Sequence, residues 1–560
     1  MQFIPRAFCV LATLLLPGAA PRVQPTTLHL QPVLDAGAFV AMDVAVAFDG
    51  EADRETILKL PDAWGGETNL YAALSNLRAE GAEMSAGADA GKRVLRHAPR
   101  TRIVVRYRVS NTAALAGERD GNDYRPLIRP THFHLLGNAI VALPEGAPLG
   151  APATFRIEGM PAGATFASDL EHAPLTVRDL LESVSVGGDF RVLDAGDGLR
   201  IALRGAWPRD DATWRTQVRR IGASQRAYWR TPAEPYLVTL LPLALPPGHT
   251  SIGGTGRADA FAFFATHNAR PDRIDATLAH EMMHSWTPER IGHLDEKDEP
   301  LGYWLSEGFT EWASFRTNVR GGLWSVEAFT EVFNDSLREY DLSPVRTAPN
   351  TRVLADFWRD REVQRLPYLR GMLLATLWDH RIRVASAGRR DLDDVLLEMQ
   401  EVARRRGDVS ADRILPVAVR RVGQVEIGAD LTMLVQEGAV VPLPEDVFAP
   451  CGRIVTKREA LWERGFDFDA TQRAGWRIVG VAEGSNAYAA GLRNGMDLRR
   501  WSEKSDERFA DRPVTAGVRD NGAERTIAWL PAARETRDVR ALVLDPALNR
   551  EACARRLAGL

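Results

Sequence analysis

Lysine is nearly missing from this chain. Lys59, Lys92, Lys297, Lys457 and Lys504 are the full set, within a combined Lys and Arg count of 70. Arginine therefore carries the positive charge, and 74 acidic residues offset it to a net charge of −4. Such a balance offers no reason to expect nucleic acid or an anionic surface as partner. The arginine bias, with abundant alanine, reads as nucleotide composition and carries no function. Cysteine is scarcer still, at three residues, which excludes a disulfide-dense scaffold and a multi-cysteine metal site. Long apolar runs are lacking. The one near the start, Ala7 to Leu16, is too short to span a bilayer comfortably, and no later stretch approaches that length. Internal repeats and low-complexity linkers are absent as well.

The contents of the chain are those of an ordinary globular protein. Hydrophobic residues make up 45% and charged residues 26%, enough to bury several cores, and 560 residues suggest three or four domains. Residues 1–20 have the layout of a secretory signal. Arg6 supplies the positive start, Ala7 to Leu16 the apolar stretch, and Pro17-Gly18-Ala19-Ala20 the small residues for cleavage. Export to a periplasm or to the outside is expected, leaving no transmembrane segment in the mature chain. Cys9 leaves with the signal. Cys451 and Cys553 remain, and an oxidising compartment allows them to pair.

The chemistry concentrates at His280-Glu281-Met282-Met283-His284, an HExxH pattern inside an apolar run. On a helix, residues four apart share a face, so the two imidazoles can grip one zinc ion from one side. Glu281, next to the first histidine, is placed to act as general base. A third ligand is still required. It is found in Glu307, within Trp304-Leu305-Ser306-Glu307-Gly308-Phe309-Thr310-Glu311. Ser306 reads as an N-cap, so that Glu307 opens a second helix. Glu311, one turn on, is positioned to accept the free ring N–H of a ligating histidine.

The wording around these residues resembles the glycyl aminopeptidase family of metallopeptidases. These are gluzincins, related to the alanyl aminopeptidases and more distantly to thermolysin. The likeness rests on HExxH followed by Ser285-Trp286, Arg290-Ile291 and the Glu-Gly-Phe-Thr segment. It continues through Tyr368-Leu369-Arg370-Gly371, Asp379-His380-Arg381-Ile382-Arg383 and Asp391-Leu392-Asp393-Asp394-Val395. It runs in order over roughly residues 230–400. The resemblance implies a zinc peptidase with one Zn2+ per chain, and a Tyr368 hydroxyl that donates to the oxyanion of the transition state. It also implies a substrate-lining strand upstream, here Ser251-Ile252-Gly253-Gly254-Thr255-Gly256-Arg257-Ala258-Asp259, with Gly253, Gly254 and Thr255 against an extended peptide. In related aminopeptidases that strand carries a Glu for the substrate's α-amino group. No Glu stands here, and Asp259 is the nearest acid, so the choice between exopeptidase and endopeptidase stays open.

The expected architecture is multidomain α+β. Residues 26–205 alternate as strands (Val40, Met42, Val44, Val46 and Phe48; Ile103, Val105, Tyr107 and Val109) and predict an N-terminal antiparallel β-sandwich. His132 and His134 in it share a strand face and read as packing rather than metal ligands. Residues 206–440 predict a thermolysin-like, mainly helical catalytic domain with a sheet upstream. Its helices are expected near Asp211 to Tyr228, Ser325 to Tyr340 and Leu392 to Arg404, with a strand at Tyr236 to Leu241. Residues 441–560 resemble a PDZ domain. They have a strand at Gly475 to Val481, a short helix within Ala482 to Leu498, and Gly495-Met496 where Gly-Asp is usual. The two mature cysteines flank that core, and a compact domain often has its ends close together. A Cys451–Cys553 bridge, with Cα atoms within about 7 Å, is expected.

Two function classes follow. One is an exported zinc peptidase acting on peptide or protein substrates. The other is a peptide-binding or chaperone-like protein, with a PDZ-like module on an inactive metallopeptidase scaffold. Retention of Glu281 favours the first, because a scaffold needs the ligands and not the base.

Overall fold

The computed structural model describes residues 24–560 apart from 112–123, 245–249, 258, 296, 408 and 502–508. The expected signal, residues 1–20, lies outside the described residues. No helix among those described is long and apolar enough to cross a membrane.

The N-terminal part is built of strands because its apolar residues recur every second position. In Ala38–Asp49, Val44, Val46 and Phe48 are buried while Asp43, Ala45 and Ala47 between them are partly exposed. Arg102–Val109 repeats the pattern. One six-stranded and two four-stranded sheets share a single core, with Leu28, Val46, Tyr107, Phe133 and Val186 at its centre. Most pairings are antiparallel, but Thr26–Asp35 runs parallel to Pro152–Ile157. His132 and His134 lie buried in His132–Leu136. Burial first, and then neighbouring positive charge, pushes their pKa values down to about 4 and about 3. His132 packs edge-on against Phe190 and His134 against Phe264, with ring centroids 6.2 and 5.2 Å apart.

The boundary of this part falls earlier than residue 205. Phe190–Gly196 and Leu199–Arg204 belong instead to a five-stranded sheet with Tyr236–Pro242, Ile252–Gly256 and Ala260–Ala265. Their own alternation is that of any sandwich strand and does not reveal which sheet they join. This sheet is buried on both faces, as sheets with parallel pairs usually are. Ala202, Leu237, Ala260 and Phe264 face the N-terminal core. Ile201, Val238, Leu240, Phe261 and Phe263 face the helices. Ile252–Gly256 is its edge strand.

The helices match the expected stretches closely: Asp211–Trp229, Val326–Leu342 behind a Ser325 N-cap, and Leu392–Arg406 behind an Asp391 capping box. The HExxH helix spans Pro271–Met283. It buries Ile274, Leu278, Ala279 and Met282 against the sheet, while Gln225 donates to the Ala279 carbonyl at 2.6 Å. The Glu307 helix, Tyr303–Arg320, starts earlier than expected. Ser306 is a buried interior residue and Gly302 the N-cap. Tyr303, Trp304 and Leu305 extend the apolar face backwards and override the serine signal. The Tyr368 helix spans Arg361–Ala385 and is the spine of the helical core.

In the C-terminal part, a two-stranded ribbon of Gly452–Trp462 and Ala532–Leu544 carries a three-stranded sheet of Asp497–Trp501, Val514–Asp520 and Ala523–Trp529. A separate core of Phe466, Ile478, Leu492, Val518 and Trp529 fills this module. The short helix Asn486–Ala489 is present. The strand expected at Gly475 to Val481 is reduced to isolated bridges, Asp467 to Val479 and Arg477 to Asp497. Cys451 and Cys553 are bonded, with Cα atoms 4.9 Å apart. Their surroundings differ from the expectation. Both sit in the helical core, and the final helix, Arg550–Ala558, packs with Leu557 and Ala558 into that same core. The bridge thus fastens the base of the ribbon to the helical domain.

Candidate metal centre

Three side chains converge at the end of the HExxH helix. His280 Nε2 and His284 Nε2 each lie 3.3 Å from Glu307 Oε2, and one donor atom from each of the three lies within 4.8 Å of the others. Both rings are already oriented by their other nitrogen. His280 Nδ1 is 3.0 Å from Glu311 Oε2, and His284 Nδ1 is 2.8 Å from the Thr287 carbonyl. With Nδ1–H donated in each case, the Nε2 lone pairs are the ones aimed at Glu307. Two neutral imidazoles and a carboxylate, prepared in this way, fit a zinc ion, with room for a further ligand. The sequence located all four side chains; the Thr287 carbonyl has no sequence signal.

The electrostatics agree. Burial disfavours charge on His280, yet hydrogen bonds to Glu307 and Glu311 outweigh it and raise its pKa to about 10. His284 is also raised, because Glu307 overcomes its burial. Glu307 is held far below the usual carboxylate range, since both histidines more than offset its desolvation. A cluster that draws this strongly on positive charge is one a dication satisfies.

Glu281 and Tyr368 face the same point. Burial above all raises the Glu281 pKa, against the pull of His284 and His280, while the Gly256 N–H favours its charged form. A carboxylate tuned upward suits a group that must take a proton and return it. Tyr368 stacks on His280 with ring centroids 5.6 Å apart. Its pKa lies well above the ordinary tyrosine value, through burial and then the charges of Glu307 and Glu281, so its hydroxyl stays a donor.

Two glycines bring Tyr368 to Glu307. A Cβ on Gly371 would lie 1.8 Å from the Trp304 carbonyl oxygen, and one on Gly308 would lie 2.3 Å from Gly371 Cα. The two helices therefore cross backbone against backbone. Arg365 then joins several parts of the site. It lies 3.6 Å from Glu311 Oε1, donates to Glu339 Oε1 at 3.1 Å, and sits 5.3 Å over the Tyr368 ring. Arg370, next in the motif, points elsewhere: it is buried and donates to the Arg346 and Ala348 carbonyls. Asp379, Arg383, Asp391 and Asp393 lie outside the centre as well. They form a buried ionic network with Arg316 and Arg556, in which Asp379 Oδ2 is 3.1 Å from Arg383 and 3.0 Å from Arg556. That half of the motif is structural.

The centre opens into a cleft of about 3220 Å³ lined by the edge strand, including Gly253, Gly254 and Thr255, and by loops of the N-terminal part. Gly256, one residue beyond the expected Gly253 to Thr255, is the strand residue that meets the base. A Cβ there would stand 3.1 Å from Glu281 Oε2. Asp259 does not line this cleft; it borders a separate cavity with Asp169 and Glu234.

No protein-family model matches the sequence, and no curated protein matches it at a significant level. Solved structures do share the fold. A crystal structure of an aminopeptidase N family protein from Idiomarina loihiensis superposes with a TM-score of 0.68 at 14% identity, covering 95% of this chain and all of the other. An M1 zinc metallopeptidase from Deinococcus radiodurans gives a TM-score of 0.49 at 19% identity, covering 75% of this chain and 95% of that one. The first of these shows that the chain has the multidomain α+β architecture of an aminopeptidase N family protein.

Proposed function

We propose that this protein is an exported zinc-dependent peptidase. One observation carries the reading. Two pre-oriented imidazoles, a carboxylate, a raised-pKa acid and a protonated tyrosine converge on one point beside the edge strand Ile252–Gly256. A metal-only scaffold needs neither Glu281 nor Tyr368 there. Bound by His280, His284 and Glu307, zinc would supply Lewis acidity to the peptide carbonyl and acidify the attacking water.

The chain's own groups account for the rest. The edge strand docks an extended substrate by backbone pairing. Glu281 takes a proton from the attacking water as its oxygen bonds to the carbonyl carbon. It then delivers that proton to the amine nitrogen as the C–N bond breaks. Tyr368 donates its O–H to the carbonyl oxygen as negative charge builds on it. Glu311 and the Thr287 carbonyl hold the two imidazoles in the tautomer the site requires.

Export rests on the layout of residues 1–20 and on a bridge between Cys451 and Cys553, which suits an oxidising compartment. The C-terminal module, with its sheet and short helix, is read as a PDZ-like accessory domain for peptide segments. A diverse peptide library, offered with free and with blocked termini, tests the peptidase reading. Metal-dependent cleavage is expected. Peptide binding without cleavage by the zinc-loaded chain would favour the scaffold alternative.

A further inference from the structure

The edge strand Ile252–Gly256 is not open along its whole length. Its turn closes with Arg257 N–H donating to the Ala260 carbonyl at 2.7 Å. With the register Gly256 to Phe261, Thr255 to Ala262 and Gly254 to Phe263, antiparallel alternation makes Thr255 a pair bonded within the sheet. Gly254 and Gly256 then turn their backbone groups outward. Gly256 lies at Glu281. The outward carbonyl of Gly254 already accepts a hydrogen bond, at 2.7 Å, from the Tyr124 hydroxyl of the N-terminal part.

Tyr124 is held firmly where it is. Its ring lies on Gly65, where a Cβ would come within 2.3 Å of it. Gly65 and Gly66, with φ of +57° and +85°, form a tight turn closed by reciprocal bonds between Trp64 and Glu67, the kind that needs positive φ at both central positions. Glu67 pairs with Arg125 at 2.7 Å, and Arg125 also donates to the Thr68 carbonyl. On the same turn, the Trp64 ring stacks on the Arg257 guanidinium at 4.2 Å, and Arg257 is tied to the Leu181 and Glu182 carbonyls. A substrate N–H arriving at Gly254 would exchange one hydrogen bond for another, with little net gain. It would also have to dislodge an anchored aromatic ring.

We propose that Tyr124 is a specificity-determining stop: it restricts the substrate to a chain that ends within about two residues of the cleaved bond on the Gly254 side, which is the reach of a strand from Gly256 to Gly254, about 7 Å. The enzyme would then trim chain ends instead of cutting within long segments. This inference rests on the peptidase reading and assigns the limit on substrate length to one side chain, Tyr124.

The test is a ladder of peptides sharing one cleavable bond, lengthened by one to five residues at either end and given to the zinc-loaded full chain. Wild type should lose at least tenfold in kcat/KM once one particular end passes about two residues. Tyr124→Ala should raise the ratio of extended to short substrate at least tenfold. Tyr124→Phe, which keeps the ring, should keep most of the limit. Zinc content and circular dichroism establish that each variant is folded and loaded. A flat length profile in wild type, or an unrelieved limit in folded Tyr124→Ala, overturns the stop and leaves the peptidase reading intact. If no peptide is cleaved at all, the peptidase reading fails. Binding of short and extended peptides to Glu281→Gln, with and without Tyr124→Ala, then decides: a preference for short peptides that Tyr124→Ala abolishes supports the stop, and equal preference in both overturns it.

Discussion

Gly308 and Gly371 meet with no side chain between them: a Cβ built on Gly308 would stand 2.3 Å from the Gly371 Cα. One follows Glu307 and the other follows Tyr368 by three residues, so the crossing they allow sets the distance between the Glu307 carboxylate and the Tyr368 hydroxyl.

Alanine at either position is therefore expected to harm rather than help. In an isolated helix, Gly to Ala gains up to about 1 kcal/mol. Here overpacking should cost about 1–3 kcal/mol and lower kcat as Tyr368 and Glu307 move apart. Urea unfolding and peptide kinetics of Gly371→Ala check this. A more stable, fully active variant would contradict the close crossing.

Glu311 and Arg365 act through the groups they position. Glu311→Ala removes the partner of His280 Nδ1 and should weaken zinc affinity by about 10–100-fold, measured by competition with a chelator. Arg365→Gln should leave zinc content near one per chain and lower kcat more than it raises KM, with Arg365→Lys partly restoring the rate. Equal zinc affinity in wild type and Glu311→Ala would count against the assigned role.

The ionic network around Asp379 is a matter of stability. Buried and ringed by Arg556, Arg316 and Arg383, Asp379 has its pKa driven well below the ordinary value despite its desolvation. Asp379→Ala should cost about 3–5 kcal/mol, seen as a lower denaturation midpoint with unchanged zinc stoichiometry in the protein that remains folded. Because the folded pKa is depressed, Asp379 stabilises the fold above the unfolded carboxylate pKa. That contribution is lost as pH falls toward the folded value.

His134 gives a second pH signature. Burial lowers its pKa to about 3, from 6.5. The unfolded chain thus binds a proton that the folded chain refuses, and stability should decline as pH drops below about 6.5. Melting temperatures in chelator, which removes any contribution from the metal, should fall less steeply from pH 7 to 4 for His134→Asn than for wild type. Parallel slopes would show that His134 does not carry the effect.

Much of this was legible in the sequence because local chemistry wrote it there. His280 and His284 stand four apart at the end of one helix and Glu307 and Glu311 four apart on another, so helical spacing puts each pair on one face. The long amphipathic helices were equally plain, since each buries one stripe. What stayed hidden depends on contacts far apart in sequence. Tyr124 reaches Gly254 only once the N-terminal part packs on the edge strand, and Gly256 meets Glu281 and Arg365 meets Glu311 only once strand and helices pack on one another. Ser306 misled because an N-cap signal is local, whereas Tyr303, Trp304 and Leu305 were recruited into the helix by the core. The strand pair from Phe190 to Arg204 alternates as any sandwich strand does, so nothing local assigned it to the catalytic sheet.

In the proposed mechanism His280, His284 and Glu307 hold one zinc ion beside a base that cleaves peptides. Zinc content and peptide turnover, measured together on wild type and Glu281→Gln, decide whether they do. The expected result is about one zinc per chain in both proteins, cleavage by wild type, and turnover lowered by at least a hundredfold in Glu281→Gln. Equal turnover in the two proteins, or no zinc bound by folded wild type, would contradict it.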